Sequence, residues 1–404
     1  MIPFHFVNVH TLCSGEFSRM LRPQEIITKR SETVGGSGIR EIFELAATMK
    51  DPINLSIGQP DFDVPDPVKV AAVEAIHAGH NKYTPTNGAP EIRKAVAASL
   101  KRDLGWDIES DPDLEVTVTS GTSGGLVLTY LTFTEPGDEM IIPDPYFVIY
   151  PAAATIAGSK AVYCDTYPDF RMTASRIEPL ITDKTKFVLI NSPSNPCGVT
   201  LTEDEVREIV DLCKAKNVLL ISDEIYDQFT FSDGRDSQGR YPSPARFSKD
   251  LIVLRGFSKS YAMTGWRLGY AAGPKDLIDA MSRMQQFTFV CAPSMVQYAG
   301  ATALDTDISK HVADYERKRD MVVEALTPYA SMGTPTGAFY AFIEVPERLG
   351  MTGMEFVQKA VERNLLMIPG GAFSRRDTHF RMSYATTDEK LRQGLDIIID
   401  LLKS

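Results

Sequence analysis

Short apolar runs recur through the middle of the chain: EVTVT (115–119), EMIIP (139–143), KAVYC (160–164), KFVLIN (186–191), NVLLIS (217–222), LIVLRG (251–256) and LGYAAG (268–273). Several are β-branched and nearly all apolar, the pattern of strands buried on both faces. Between them lie segments of helical period, among them GGLVLTYLTFT (124–134) and TEDEVREIVDLCKAKN (202–217). The second opens on Thr202 with Glu205 three positions later, a capping box. Strands alternating with helices predict an α/β fold with a largely parallel sheet. From about residue 301 the pattern changes. A charged helical stretch, DISKHVADYERKRDMVVEAL, precedes two strand-like runs, GAFYAFIEV and FRMSYAT. This predicts a smaller α+β domain over 301–404 beside a large domain over 65–300. Residues 20–64 read as an N-terminal arm that packs on the smaller domain, and residues 1–19 as a disordered extension, with Met20 a candidate natural start.

Composition narrows the field. The 404 residues exceed the usual size of one core, which agrees with two lobes. The 42 basic against 53 acidic residues, a net of −11, argue against a general nucleic-acid or anionic-membrane binder. A local basic pocket for a phosphate is still allowed. Cys13, Cys164, Cys197, Cys213 and Cys291 are odd in number and scattered, without C-x-x-C spacing. Neither a disulfide framework nor a metal site is expected, and a reducing, cytoplasmic setting fits best. No stretch approaches the roughly 20 apolar residues that span a bilayer. The opening MIPFHFVNVHTLCSGEFSR has no basic residue before Arg19, so it makes a poor signal peptide.

In an open parallel sheet, ligands bind beyond the carboxyl ends of the strands, so the residues delivered there matter most. EVTVT runs into SGTSGG (120–125), which puts the N–H groups of Gly121, Thr122 and Ser123 at a helix N-terminus. That is either a phosphate cradle or a plain glycine-rich turn. KFVLIN delivers Asn195 in NSPSNPCG; NVLLIS delivers Asp223, Glu224 and Tyr226; EMIIP delivers Phe147, a candidate aromatic wall. An aspartate directly after a buried strand is costly unless it meets a cation or several donors, the alternative being a helix cap. LIVLRG runs into GFSKSYAMTGWRLGY (256–270), with Ser258, Lys259 and Arg267. A lone lysine facing burial needs a carboxylate or a chemical task. Pyridoxal phosphate uses the whole set: its phosphate takes the cradle, its ring nitrogen the carboxylate, its ring the aromatic face and its aldehyde the amine. A nucleotide P-loop would need G-x-x-x-x-G-K-[ST], which the sequence lacks.

From about residue 25 onward the chain resembles the class I/II, fold-type I, pyridoxal-phosphate-dependent aminotransferases, in particular the prokaryotic aspartate aminotransferases and their relatives. GFSKSYAMTGWRLGY resembles the family's lysine signature, and INLSIGQPDFDVPDPV, NKYTPTNGAPEIRKAV, NSPSNPCGVT, ISDEIYDQF and FRMSYATT resemble further motifs in the right order. The resemblance implies a mostly parallel seven-stranded sheet sandwiched by helices, plus a smaller α+β domain. It implies that Lys259 is the Schiff-base lysine, that Asp223 pairs with the ring nitrogen, and that Asn195 and Tyr226 reach the ring's 3′ oxygen. Gly121, Thr122, Ser123, Ser258 and Arg267 would hold the phosphate, and Phe147 would stack on the ring. Tyr83 would reach the phosphate of a partner subunit, making the active unit a homodimer. Arg381, Asn195 and a backbone contact at Gly58 would hold the substrate.

The implied reaction moves an amino group from an L-amino acid to a 2-oxo acid. Aspartate with 2-oxoglutarate is the first expectation; alanine and aromatic donors come next. Some aspartate-specific relatives carry lysine where this chain has Ser123, which weighs against strict dicarboxylate specificity. A β-lyase or cyclopropane-forming synthase on the same scaffold is the runner-up. A transcription regulator with an aminotransferase-like domain is disfavoured by the acidic chain and the short stretch ahead of the resembling region.

Overall fold

Neighbouring positions along the predicted strands face opposite sides of one sheet, and both sides are apolar. The computed structural model describes residues 26–34 and 49–404. In it Met140, Ile142, Phe187, Leu189, Ile221, Ile252 and Leu254 join one hydrophobic cluster. The intervening Ile141, Val188, Ile190, Leu220 and Val253 join another. Each central strand is therefore clamped between two apolar layers, and its sequence reads as a continuous run rather than an alternation.

The strands, in chain order, are β1 (Ile53–Asn54), β2 (Leu114–Ser120), β3 (Glu139–Asp144), β4 (Lys160–Asp165), β5 (Thr185–Asn191), β6 (Leu219–Asp223), β7 (Leu251–Gly256) and β8 (Leu268–Pro274). They continue with β9 (Tyr340–Glu344), β10 (Leu365–Leu366), β11 (Ile368–Pro369) and β12 (His379–Ser383). The large sheet has seven strands in the order β2-β8-β7-β6-β5-β3-β4. The pairs β7–β6, β6–β5, β5–β3 and β3–β4 are parallel. Strand β8 runs against both its neighbours.

Every apolar run read from the sequence is a strand of this sheet, within a residue or two at each end. The helix expected over 124–134 starts earlier, at Gly121, because the glycine-rich turn is itself the first turn of the helix. The capping box is formed: Thr202 accepts from the Glu205 N–H and the Glu205 side chain accepts from the Thr202 N–H.

A second, antiparallel sheet has the order β11-β12-β9, flanked by helices Ser309–Leu326, Gly353–Glu362 and Asp388–Lys403. Strand β1 pairs in parallel with β10, and the Ser383 N–H donates to the Leu55 carbonyl at 2.7 Å. The chain just before residue 56 is thus hydrogen-bonded to the C-terminal part. The expected extension over 1–19 lies outside the described residues, as do Cys13 and much of the expected arm. Among the described residues no helix is long and apolar enough to cross a membrane.

Candidate active site

Strands β2, β3, β5, β6 and β7 all point their carboxyl ends at one edge of the large sheet. Asn191 ends β5 and lies in register with Asp223, which ends β6. Gly256 ends β7, with Ser258 and Lys259 just beyond. The antiparallel direction of β8 explains Arg267. It precedes the strand, so a parallel β8 would have put it at the far edge. With Ser120 opposite Leu268 and Gly256 opposite Gly269, the guanidinium comes to the edge where β2 and β7 end.

At that edge a cavity of about 350 Å³ is lined by Gly58, Thr122, Ser123, Phe147, Asn195, Asp223, Tyr226, Ser258, Lys259, Arg267 and Arg381, all expected from the sequence. Gly121 lies directly behind. It has φ +70, and a Cβ there would stand 2.7 Å from the Arg267 guanidinium, so the arginine lies across bare backbone. Tyr83 does not line the cavity; it is 85% exposed on the protein surface.

The cradle is open to a guest. No side chain caps the helix Gly121–Phe133, so its first-turn N–H groups are left for other acceptors. The Thr122 hydroxyl is buried without a hydrogen-bond partner, a state that buried hydroxyls seldom keep. With Arg267 beside them, these groups fit a phosphate. The close packing also makes Gly269 critical, since a Cβ there would fall 2.7 Å from the backbone of both Gly121 and Thr122. Gly269→Ala is expected to weaken cofactor affinity about tenfold or more while the cofactor-free protein keeps its far-UV circular dichroism, as checked by titrating the apoprotein.

Asp223 is buried, and its carboxylate accepts the Tyr150 hydroxyl at 2.8 Å and the Ile225 N–H at 3.3 Å. Burial pushes its acid up to about 6 against the pull of the Tyr150 hydrogen bond. A cationic ring nitrogen would relieve that cost. The Lys259 amine donates to the Gly58 carbonyl at 2.5 Å. Burial, then the Arg381 and Arg267 guanidiniums, push it down to about 8, with Asp223 opposing. Phe147 meets Tyr150 edge-on with centroids 5.9 Å apart, giving the cavity a flat wall. Carboxylate, amine, flat wall and cradle together match pyridoxal phosphate.

Arg381, on β12, comes from the second sheet. It donates to Asn195 Oδ1 at 3.0 Å and to the Ser56 carbonyl at 2.8 Å, and its Nε has no partner. Its guanidinium lies over the rings of Tyr340 at 4.5 Å and Phe373 at 4.6 Å. Three cavity-lining positions went unread in the sequence. Asn191 accepts the Asn195 N–H at 2.9 Å and donates to the Asp223 carbonyl at 3.0 Å, fixing the loop to the end of β6. The strand-end rule that found Asp223 could have found it. Tyr150 lies three residues past Phe147, in the first turn of the helix Ile149–Ala157, and that nearness was the available signal. Tyr340 read only as a strand residue, and no local signal separates it from a core tyrosine.

The family model for Aminotransferase class I and II matches residues 50–398. The chain is 35% identical over 388 residues to a probable aspartate aminotransferase of Methanocaldococcus jannaschii, covering 94% of this chain and 100% of the relative. It is 36% identical over 390 residues to aromatic-amino-acid aminotransferase 2 of Thermococcus litoralis, covering 93% and 98%. The solved aspartate aminotransferase of Rhizobium meliloti is similar in structure, with a TM-score of 0.86 and 34% identity over 93% of this chain and 98% of that one.

Proposed function

Since this chain belongs to the class I and II aminotransferases, and is therefore a pyridoxal-phosphate enzyme, we propose that it passes the amino group of aspartate to 2-oxoglutarate. The pairing, in one cavity, of a half-buried lysine held down to about 8 with a buried arginine 3.0 Å from Asn195 carries the aminotransferase chemistry, and the relatives named aspartate aminotransferase favour that donor. Bound pyridoxal phosphate supplies the aldehyde that captures the amino group and the ring that draws off electrons at the substrate Cα.

The residues supply everything else. Gly121, Thr122 and Ser123 would offer backbone N–H groups and hydroxyls to the phosphate, with Ser258 and Arg267 beside it. Asp223 would hold the ring nitrogen in its protonated form. Asn195 and Tyr226 would donate to the 3′ oxygen, and Phe147 would cover one ring face. Arg381 grips the substrate carboxylate through its planar fork, with Gly58 and Asn195 beside it. Lys259, neutral above about pH 8 in the cofactor-free protein, is placed to take the Cα proton as general base and to return a proton as general acid. The exposed Tyr83 completes the phosphate site of a second copy, so the working unit is a homodimer. The scattered cysteines fit a cytoplasmic setting.

Aromatic donors form the second reading, because Ser123 rather than a cation lines the cavity and one relative carries that name. A panel of amino donors against 2-oxoglutarate, read as glutamate formed, decides between them. Aspartate is expected to lead; a lead by tyrosine or phenylalanine transfers the assignment to aromatic amino acids. Absence of glutamate with every donor overturns 2-oxoglutarate as the acceptor.

A further inference from the structure

Tyr340 is the first residue of β9 and is 1% exposed. Its hydroxyl stands 3.0 Å from the Tyr226 hydroxyl. Its ring lies 4.5 Å from the Arg381 guanidinium. A Cβ on Gly58 would come within 3.0 Å of its hydroxyl, and the Gly58 carbonyl accepts from Lys259 at 2.5 Å. One side chain of the smaller sheet thus touches both the cofactor end and the substrate end of the cavity.

We propose that Tyr340 is a positioning residue with two separable arms: its hydroxyl orients and strengthens Tyr226 as a donor, and its ring fixes the plane of Arg381. This rests on the roles given above to Tyr226 and Arg381. Each hydroxyl of the pair owns a single hydrogen, and either can donate across the 3.0 Å contact. Once Tyr226 gives its hydrogen to the 3′ oxygen, the contact can persist only with Tyr340 donating. Donation into the Tyr226 oxygen polarises that phenol and makes it a better donor.

The second arm is a matter of planes. Arg381 holds two neighbours through Nη1 and Nη2, and those bonds alone leave the tilt of the fork free. The Tyr340 and Phe373 rings, at 4.5 and 4.6 Å, restrict it. A fork held at a fixed tilt can meet a carboxylate with two bonds at once.

Three holoenzyme variants test this: Tyr340→Phe, Tyr340→Leu and Tyr226→Phe. Two quantities are read, the midpoint pH of the bound cofactor's absorbance titration without substrate, and KM and kcat for the best amino donor. Tyr226→Phe is expected to raise the midpoint. Tyr340→Phe is expected to raise it too, by about half a pH unit, with KM within about twofold of wild type because the ring remains. Tyr340→Leu is expected to repeat that shift and to raise KM about fivefold or more. Tyr340→Met reads the ring arm should the leucine variant fold poorly. A midpoint that moves in Tyr226→Phe but not in Tyr340→Phe overturns the hydroxyl arm. Equal KM values for the phenylalanine and leucine variants overturn the ring arm. A midpoint unmoved by Tyr226→Phe overturns the assigned role of Tyr226, and the hydroxyl arm with it.

Discussion

Replacing Lys259 with alanine is expected to lower turnover by at least about 10⁴-fold. Positioned proton transfer alone contributes roughly 10²–10⁴-fold, and on the proposed assignment the same amine would also anchor the cofactor covalently, a second contribution. No neighbour can substitute. The other cations on the cavity wall are Arg267 and Arg381, and a guanidinium stays protonated at any working pH. Burial and those two guanidiniums hold the amine down to about 8, so it is a usable base in mildly alkaline solution. The measurement is glutamate formed from the best donor at saturating cofactor. Peptide mapping after borohydride should find cofactor on residue 259 in the wild type and none there in the variant. Turnover above about one per cent of wild type would contradict both roles.

Asp223→Asn should give the second-largest loss, roughly 10²–10³-fold in turnover with cofactor still bound, as expected when a preorganised charge is removed from a dry site. The same variant carries an opposite prediction for stability. In the cofactor-free protein the Asp223 acid sits at about 6, above its ordinary 3.8, because burial penalises the charge. The folded state then holds a proton that the unfolded state releases between those values. Stability from this group is full below about pH 4 and is lost as the pH rises through about 6. The two-unit displacement corresponds to at most about 3 kcal/mol. Asparagine carries no charge and can still meet the Tyr150 hydroxyl and the Ile225 N–H. The cofactor-free variant should therefore melt above wild type at pH 8, and the gap should close near pH 4. A wild-type advantage at pH 8 would show that the buried carboxylate is not strained. Asp227, also pushed up to about 6 by burial, is common to both proteins and cancels in the comparison.

The strands of the large sheet were readable because both their faces are buried, so each appears as an unbroken apolar run. That Asp223, Asn195 and Lys259 reach the cavity was readable for a related reason, since each lies at or within four residues of the end of such a run, where a polar side chain has few structural excuses. The direction of β8 was not readable. LGYAAG looks the same run either way, and only its partners β2 and β7 settle it. Asn191 was hidden by its place inside the run that pointed to Asn195. Tyr340 was hidden because its partners Tyr226 and Arg381 lie far away in sequence, and a buried tyrosine in a strand is ordinary. Side chains that act through another residue leave little trace in local pattern.

The reversal of β8 has a practical corollary for protein engineering. Strands β7 and β8 are neighbours joined by a hairpin, pinned where Gly256 faces Gly269. The Lys259 amine and the Arg267 guanidinium, both on the cavity wall, ride on that one connecting segment, so their spacing is insulated from lengthened loops or new chain ends elsewhere in the sheet. A graft onto another open sheet would need Leu251–Pro274 moved as a single cassette, together with the Gly121–Thr122 backbone that it packs against.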